Sequence, residues 1–264
     1  MITLKRLIKY FHRGSINEVL ALNTIDLAVE PGDFITVIGS NGAGKSTLLN
    51  CIAGTYPADG GTLLINDQDV TRWAEHRRAR FISRVFQDPL LGTCASMSIE
   101  QNLALARRRG RRRSLGIGVK SADRDLFRDR LKILGLGLEN RLQDKVGLLS
   151  GGQRQALTMV MASLIRPEVL LLDEHTAALD PKTAIQILEL TRNIVENQEL
   201  TTLMVTHNMH HALKLGNRLV MLHMGKIILD IRGGEKQNLT VEDLLARFYA
   251  VQGEEFSSDR MLLA

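Results

Sequence analysis

Hydrophobic positions along the chain follow two rhythms. In the front third, β-branched and apolar residues gather in short runs: Ile2 to Phe11, Leu22 to Val29 and Phe34 to Ile38, the last two parted by Pro31-Gly32. Such runs, bounded by turn residues, predict strands. Thr62 to Ile65 and Phe81 to Phe86 predict two more. From Ser98 to Leu136 the period lengthens, with Leu126, Leu131 and Leu134 at roughly helical spacing. Beyond Ser150 come a helix, the strand Val169 to Leu172, a helix from Pro181 and the strand Thr201 to Val205. Leu219 to Leu222 and Lys226 to Ile231 predict a hairpin around His223-Met224-Gly225. Val241 to Tyr249 predicts a short amphipathic helix before a polar tail. Strands alternating with helices predict an α/β fold with a mostly parallel sheet. The helical stretch between about Gly92 and Leu149 reads as an insertion into that core.

Composition narrows the class. With 264 residues, 44% hydrophobic and 24% charged, the chain is of the globular kind. The longest apolar stretch, Ala156 to Ile165, is broken by Thr158 and Ser163 and is far short of the ~18 residues a spanning helix needs. Met1-Ile-Thr-Leu-Lys-Arg carries charge with no apolar core behind it, so no secretory leader is expected. Two cysteines, Cys51 and Cys94, point to reduced thiols in the cytoplasm rather than to a disulfide framework. The net charge of +5 has a local source, because the run Arg107 to Arg113 holds six arginines. The remainder of the chain is close to neutral, and a basic partner surface is expected at that run alone.

Two segments carry phosphate chemistry. Gly39-Ser40-Asn41-Gly42-Ala43-Gly44-Lys45-Ser46 fits G-x-x-x-x-G-K-[ST], follows an apolar strand and opens a helix from Ser46 to Ala53. Glycines let successive N–H groups turn inward on phosphate oxygens, and the helix start adds partial positive charge. Lys45 is placed to reach the β- and γ-phosphates and the Ser46 hydroxyl to bind Mg²⁺. The apolar strand from Val169 ends in Asp173-Glu174, and a buried parallel strand delivers its C-terminal residues to the ligand crevice. Asp173 there suits the metal, and Glu174 suits the water that attacks the γ-phosphate. A second glycine-lined helix start, Ser150-Gly151-Gly152-Gln153, precedes an apolar face of Leu157, Val160, Met161, Leu164 and Ile165. Two anion-binding half-sites in one chain imply that each completes the site of a partner.

Leu149-Ser150-Gly151-Gly152-Gln153 closely resembles the signature motif of the ABC ATPase family, and the rest of the chain follows that family's order. The resemblance implies a RecA-like P-loop NTPase core with an antiparallel β subdomain and an inserted helical subdomain. The ATPase domain is expected over residues 2–249, with the helical subdomain at about 92–149 and a polar tail at 250–264. It implies ATP and Mg²⁺ as cofactors, with Gly39 to Ser46 and Thr47 around the phosphates and Ser46, Gln87 and Asp173 toward the metal. Gln87 matches the Q-loop glutamine, Asp180 of Ala178-Leu179-Asp180 the D-loop, and His207 the switch histidine that contacts the γ-phosphate. Catalysis thus falls to Glu174, His207 and Gln87. Of the two aromatics Tyr10 and Phe11, spacing after Lys9 favours Phe11 for stacking on adenine. Where most members carry proline after the catalytic glutamate, this chain has His175. Asp173-Glu174-His175-Thr176-Ala177-Ala178-Leu179-Asp180 resembles a subgroup of importer ATPases found with a binding protein for amino-acid-like solutes. The implied machine is a homodimer of cassettes on the cytoplasmic face of the inner cell membrane, with a permease and, indirectly, a solute-binding protein. A soluble assembly ATPase of the iron–sulfur cluster type and an exporter subunit are the alternatives. No nucleic-acid partner is expected, since neither a second cassette nor a coiled-coil insertion is present.

Overall fold

The computed structural model of the chain describes residues 1–111 and 118–250. Its strands form two sheets. β2 (Val19–Val29), β1 (Ile2–Phe11), β4 (Gly60–Ile65) and the two-residue β5 (Gln68–Asp69) pair antiparallel in that order. The second sheet runs β10 (Lys226–Arg232), β9 (Arg218–His223), β3 (Phe34–Gly39), β8 (Thr202–Val205), β7 (Val169–Asp173) and β6 (Ile82–Val85). Its pairs are parallel except for the closing β9–β10 hairpin. That hairpin turns through Met224 and Gly225, both with positive φ (44° and 75°), the pair a tight two-residue turn requires.

Both faces of the parallel sheet are covered, so β8 and β9 are buried along their whole length. On one face α1 (Lys45–Ala53) packs Leu48, Leu49 and Ile52 between Val37, Val205 and Val220 and the inner face of the antiparallel sheet, including Leu7, Leu22 and Ile25. On the other, α5 (Gly151–Ser163) and α6 (Pro181–Asn197) set Met159, Ala162, Leu188 and Ile194 on Leu170, Leu172 and Met204. A third cluster joins α3 (Ile99–Arg107) and α4 (Ser121–Lys132) through Ile99, Leu103, Phe127 and Leu131. This cluster runs on into Leu157, Val160 and Leu164, so α5 serves two cores at once. Short helices α2 (Glu75–Arg78), α7 (Met209–Lys214) and α8 (Gly233–Gln237) complete the named elements, and residues 241–250 are helical. The three short helices lack the length to show a period in the sequence. The predicted strands and long helices are all present, β2 beginning three residues earlier than its hydrophobic run.

Of the arginine run, Arg108, Arg109 and Arg111 line one cavity with Arg77 and Arg80. Arg107 pairs with Asp123 on α4. Arg109 is directed inward, donating to the carbonyls of Ala162 and Ile165 at the C-terminal end of α5. Arg112 and Arg113 lie outside the described residues, as does the polar tail from 251 onward. Cys51 is buried, which pushes its thiol up to about 11, and Cys94 is exposed; both are free. Among the described residues no helix is long and apolar enough to cross a membrane.

Candidate active site

The loop from β3 into α1 can be built only with glycine at two points. A Cβ on Gly39 would stand 2.2 Å from the Leu222 carbonyl oxygen, and one on Gly44 2.5 Å from that of Ala21. Both also hold positive φ, 148° and 100°. Gly44 caps α1 without any side-chain hydrogen bond, so the first N–H groups of the helix are left for an anion. Lys45 is buried against the loop, its Nζ donating to the carbonyls of Gly39 and Ser40, both at 2.9 Å. Burial lowers its pKa, and the nearby Glu174 and Asp173 carboxylates oppose that shift.

Strand β7 brings Asp173 to the same loop. The Ser46 hydroxyl donates to Asp173 Oδ1 at 3.2 Å. A hydroxyl and a carboxylate oxygen side by side are the hard donors Mg²⁺ takes. Among the described residues no three acidic, cysteine or histidine side chains cluster as a metal cage. Mg²⁺ commonly takes one or two protein oxygen donors together with substrate phosphate oxygens and water. Ser46 and Asp173 fit Mg²⁺ on these grounds; when bound, it neutralises charge on the phosphoryl oxygens. Glu174 follows with φ 43°, a left-handed conformation that a non-glycine residue adopts only at a cost of order 1–3 kcal/mol. Its N–H donates to the Val205 carbonyl at 3.1 Å, which holds the strained turn in place. His207, just beyond β8, sets Nδ1 3.5 Å from Glu174 Oε2. Glycine loop, Asp173, Glu174 and His207 thus converge on the C-terminal ends of β3, β7 and β8.

Ser150 stands elsewhere. It is exposed and caps α5: its hydroxyl accepts from the Gln153 N–H at 3.2 Å, and Gln153 Oε1 accepts from the Ser150 N–H at 3.1 Å. Its groove, about 470 Å³, is shared with Gly152, Gln153, Leu136 and Thr183, and no glycine-loop residue lines it. Gly152 admits α6 closely, since a Cβ there would meet Thr183 Cγ2 at 2.3 Å. Asp180 caps α6 by accepting from the Thr183 N–H at 3.1 Å, and hydrogen bonding from the Thr183 side chain and then its backbone lowers the Asp180 pKa. Gly152 and Asp180 thus both lie against Thr183.

Gln87 is exposed one residue beyond Phe86, whose carbonyl accepts from Gln155 Nε2 at 3.3 Å. Gln155 lies fully buried on α5, and among the described residues its Oε1 has no partner. Residue 87 is thereby tied to the helix that Ser150 begins. Phe11 is half-buried at the end of β1, its ring meeting Tyr56 at 5.3 Å and 85°, while Tyr10 lies under Arg13 at 5.1 Å. Three residues escaped the sequence reading: Gln155, Asn50 and Arg84, the last ion-paired with Asp173 at 2.7 Å. No motif contains them, and only an arginine interrupting the strand Phe81 to Phe86 could have signalled one.

His175, the departure noted above, is buried, with Nε2 3.0 Å from Thr191 Oγ1. That hydroxyl already donates to the Ile187 carbonyl at 2.7 Å, so it accepts from His175 and fixes the neutral Nε2–H form. Burial, then the neighbouring His211, lowers the His175 pKa to about 4. Below the unfolded value near 6.5, the unfolded chain binds this proton and the folded chain does not, so stability falls as pH drops from about 6.5 to about 4. The loss amounts to about 3 kcal/mol at the lower end. Denaturant titrations across this window should show that slope in the wild type and a shallower one in His175→Asn. Equal slopes would assign the acid sensitivity to other groups.

A family profile described as "ABC transporter" matches residues 22–177. The chain is 48% identical to the tyrosine transport ATP-binding protein of Clostridioides difficile, over 95% of this chain and 100% of that one. It is 35% identical to the phosphonates import ATP-binding protein of Frankia casuarinae, over 83% and 87% of the two. A solved dimeric ATP-binding cassette, in a post-hydrolysis state bound to ADP and Pi, superposes with a TM-score of 0.75 at 27% identity. That match covers 88% of this chain and 98% of the cassette. The chain belongs to the ABC transporter family, as an ATPase with the P-loop core, antiparallel β subdomain and helical subdomain of its cassettes.

Proposed function

We propose that this ABC ATPase energises a bacterial importer of an amino-acid-like solute. Two copies pair head to tail, and each ATP lies between the glycine loop of one copy and Ser150 to Gln153 of the other. The observation that carries this reading is the separation of the half-sites: Ser150 is the exposed start of a helix, and the groove beside it holds no glycine-loop residue. Within a completed site, Lys45 and the N–H groups from Ser40 to Thr47 hold the phosphates. Ser46, Asp173 and Gln87 face the metal, Glu174 polarises the attacking water, and His207 contacts the γ-phosphate. Asp180 crosses the interface and Phe11 stacks on adenine. The dimer sits on the cytoplasmic face of the inner membrane, where residues of about 92–149 together with α5 receive a permease. Gln87 reports nucleotide state to that surface through the Gln155 tether. A solute-binding protein delivers the cargo. The amino-acid class is supported by the relative named for tyrosine transport.

Affinity purification of the tagged chain from detergent-solubilised membranes tests the reading. A multi-span permease should co-purify. In vesicles with the solute-binding protein, the ATPase rate of that complex should rise when tyrosine or a similar amino acid is added. Recovery with a soluble scaffold and no permease would overturn it.

A further inference from the structure

Arg84 on β6 touches three parts of the site at once. Its Nη2 donates to Asp173 Oδ2 at 2.7 Å and its Nη1 to Asn50 Oδ1, on α1, at 2.6 Å. The guanidinium also lies over the Phe86 ring at 4.6 Å, one residue before Gln87. Side-chain exposure is 11% for Arg84 and 13% for Asp173, so this pair is largely withdrawn from water and its geometry is held from several sides. The two oxygens of Asp173 are thus divided: Oδ2 belongs to Arg84, and Oδ1 faces the Ser46 hydroxyl.

We propose that Arg84 is a positioning residue that makes metal binding depend on nucleotide. The inference rests on Asp173 and Ser46 facing Mg²⁺. A fixed guanidinium on Oδ2 prevents the carboxylate from turning and presents Oδ1 beside Ser46. It also places a unit positive charge on the carboxylate that must receive a divalent cation. Asp173 already has a counter-ion, so the chain by itself has little net attraction for Mg²⁺. The negative charge that draws the ion in comes with the phosphates. Metal and nucleotide therefore enter together, and the strand leading to Gln87 holds the carboxylate that they meet.

The test measures ADP binding by calorimetry as Mg²⁺ is titrated, in the wild type, Arg84→Met, Arg84→Lys and Asp173→Asn, with kcat measured in parallel. Arg84→Met removes the competing charge, so the half-saturating Mg²⁺ for tight ADP binding should fall roughly fivefold. Its kcat should fall about tenfold or more, because the carboxylate loses its fixed orientation. A merely structural role would not tighten metal binding. Arg84→Lys keeps the charge but cannot span Asn50 and Asp173, so kcat should fall with the metal requirement within about twofold of wild type. If Arg84→Met does not fold, Arg84→Lys carries the test alone: a metal requirement shifted beyond that range overturns the proposal. An unchanged or raised requirement in folded Arg84→Met also overturns it. Asp173→Asn separates the two levels, because if it leaves the Mg²⁺ dependence untouched the metal-site reading itself has failed.

Discussion

Glu174→Gln should bind Mg-ATP with nearly wild-type affinity and hydrolyse it at least about 100-fold more slowly, the scale of a lost general base. Glutamine occupies the same volume and can hold the same turn at φ 43°, so the strained backbone behind β7 is unchanged. Lys45 keeps its bonds to the Gly39 and Ser40 carbonyls and Ser46 its bond to Asp173, since none of these uses the Glu174 side chain. Only the negative charge 3.5 Å from His207 is removed, and with it the proposed means of polarising the attacking water. Binding without turnover should trap the closed assembly, so an ATP-dependent dimer should accumulate on size exclusion and dissociate when ATP is replaced by ADP. Steady-state hydrolysis at the wild-type rate would remove Glu174 from the reaction.

The parts of the site legible in the sequence are those built from contiguous residues. In the loop from Gly39 to Ser46, glycine spacing encodes backbone geometry directly, and the apolar run ahead of it guarantees a buried strand end. Ser150 to Gln153 reads as a helix start, and the structure closes a capping box there between Ser150 and Gln153. The remainder depends on which strands become neighbours. Arg84 reaches Asn50 and Asp173 across 34 and 89 residues of chain, through the parallel pairing of β6 with β7. Period and propensity carry no trace of such a partner, and an arginine inside an apolar run reads only as an interruption. The role of Gln155 is hidden for the same reason, because it joins α5 to a carbonyl 69 residues earlier. Arginines 107–111 show what a charge count along the chain omits: packing turns Arg107 to Asp123 and Arg109 to the end of α5, while Arg108, Arg109 and Arg111 line one cavity with Arg77 and Arg80.

Ser150→Arg should abolish hydrolysis while leaving the monomer folded and able to bind ATP. Loss of the cap costs about 1 kcal/mol, and a cation at a helix N-terminus a few tenths more. α5 remains anchored by Leu157, Met159 and Val160 in two cores. Ser150→Ala, which removes the cap without adding bulk or charge, isolates that stability cost. In the proposed dimer an arginine side chain would stand where the partner's γ-phosphate must sit, so the closed state could not form. Loss of ATP affinity in the monomeric Ser150→Arg variant would mean that the residue acts within its own chain.

Completion of each site by a second copy is tested most directly by mixing Ser150→Arg with Lys45→Ala. Each variant alone should be inactive. In an equimolar mixture about half the dimers are hybrids, and each hybrid pairs one intact glycine loop with one intact Ser150 helix start. If the two sites act independently, roughly a quarter of the wild-type rate should return, with a dependence on total protein concentration that reflects dimer formation. A mixture that stays inactive at every ratio, while both variants still associate, would contradict a site shared between two copies of the chain.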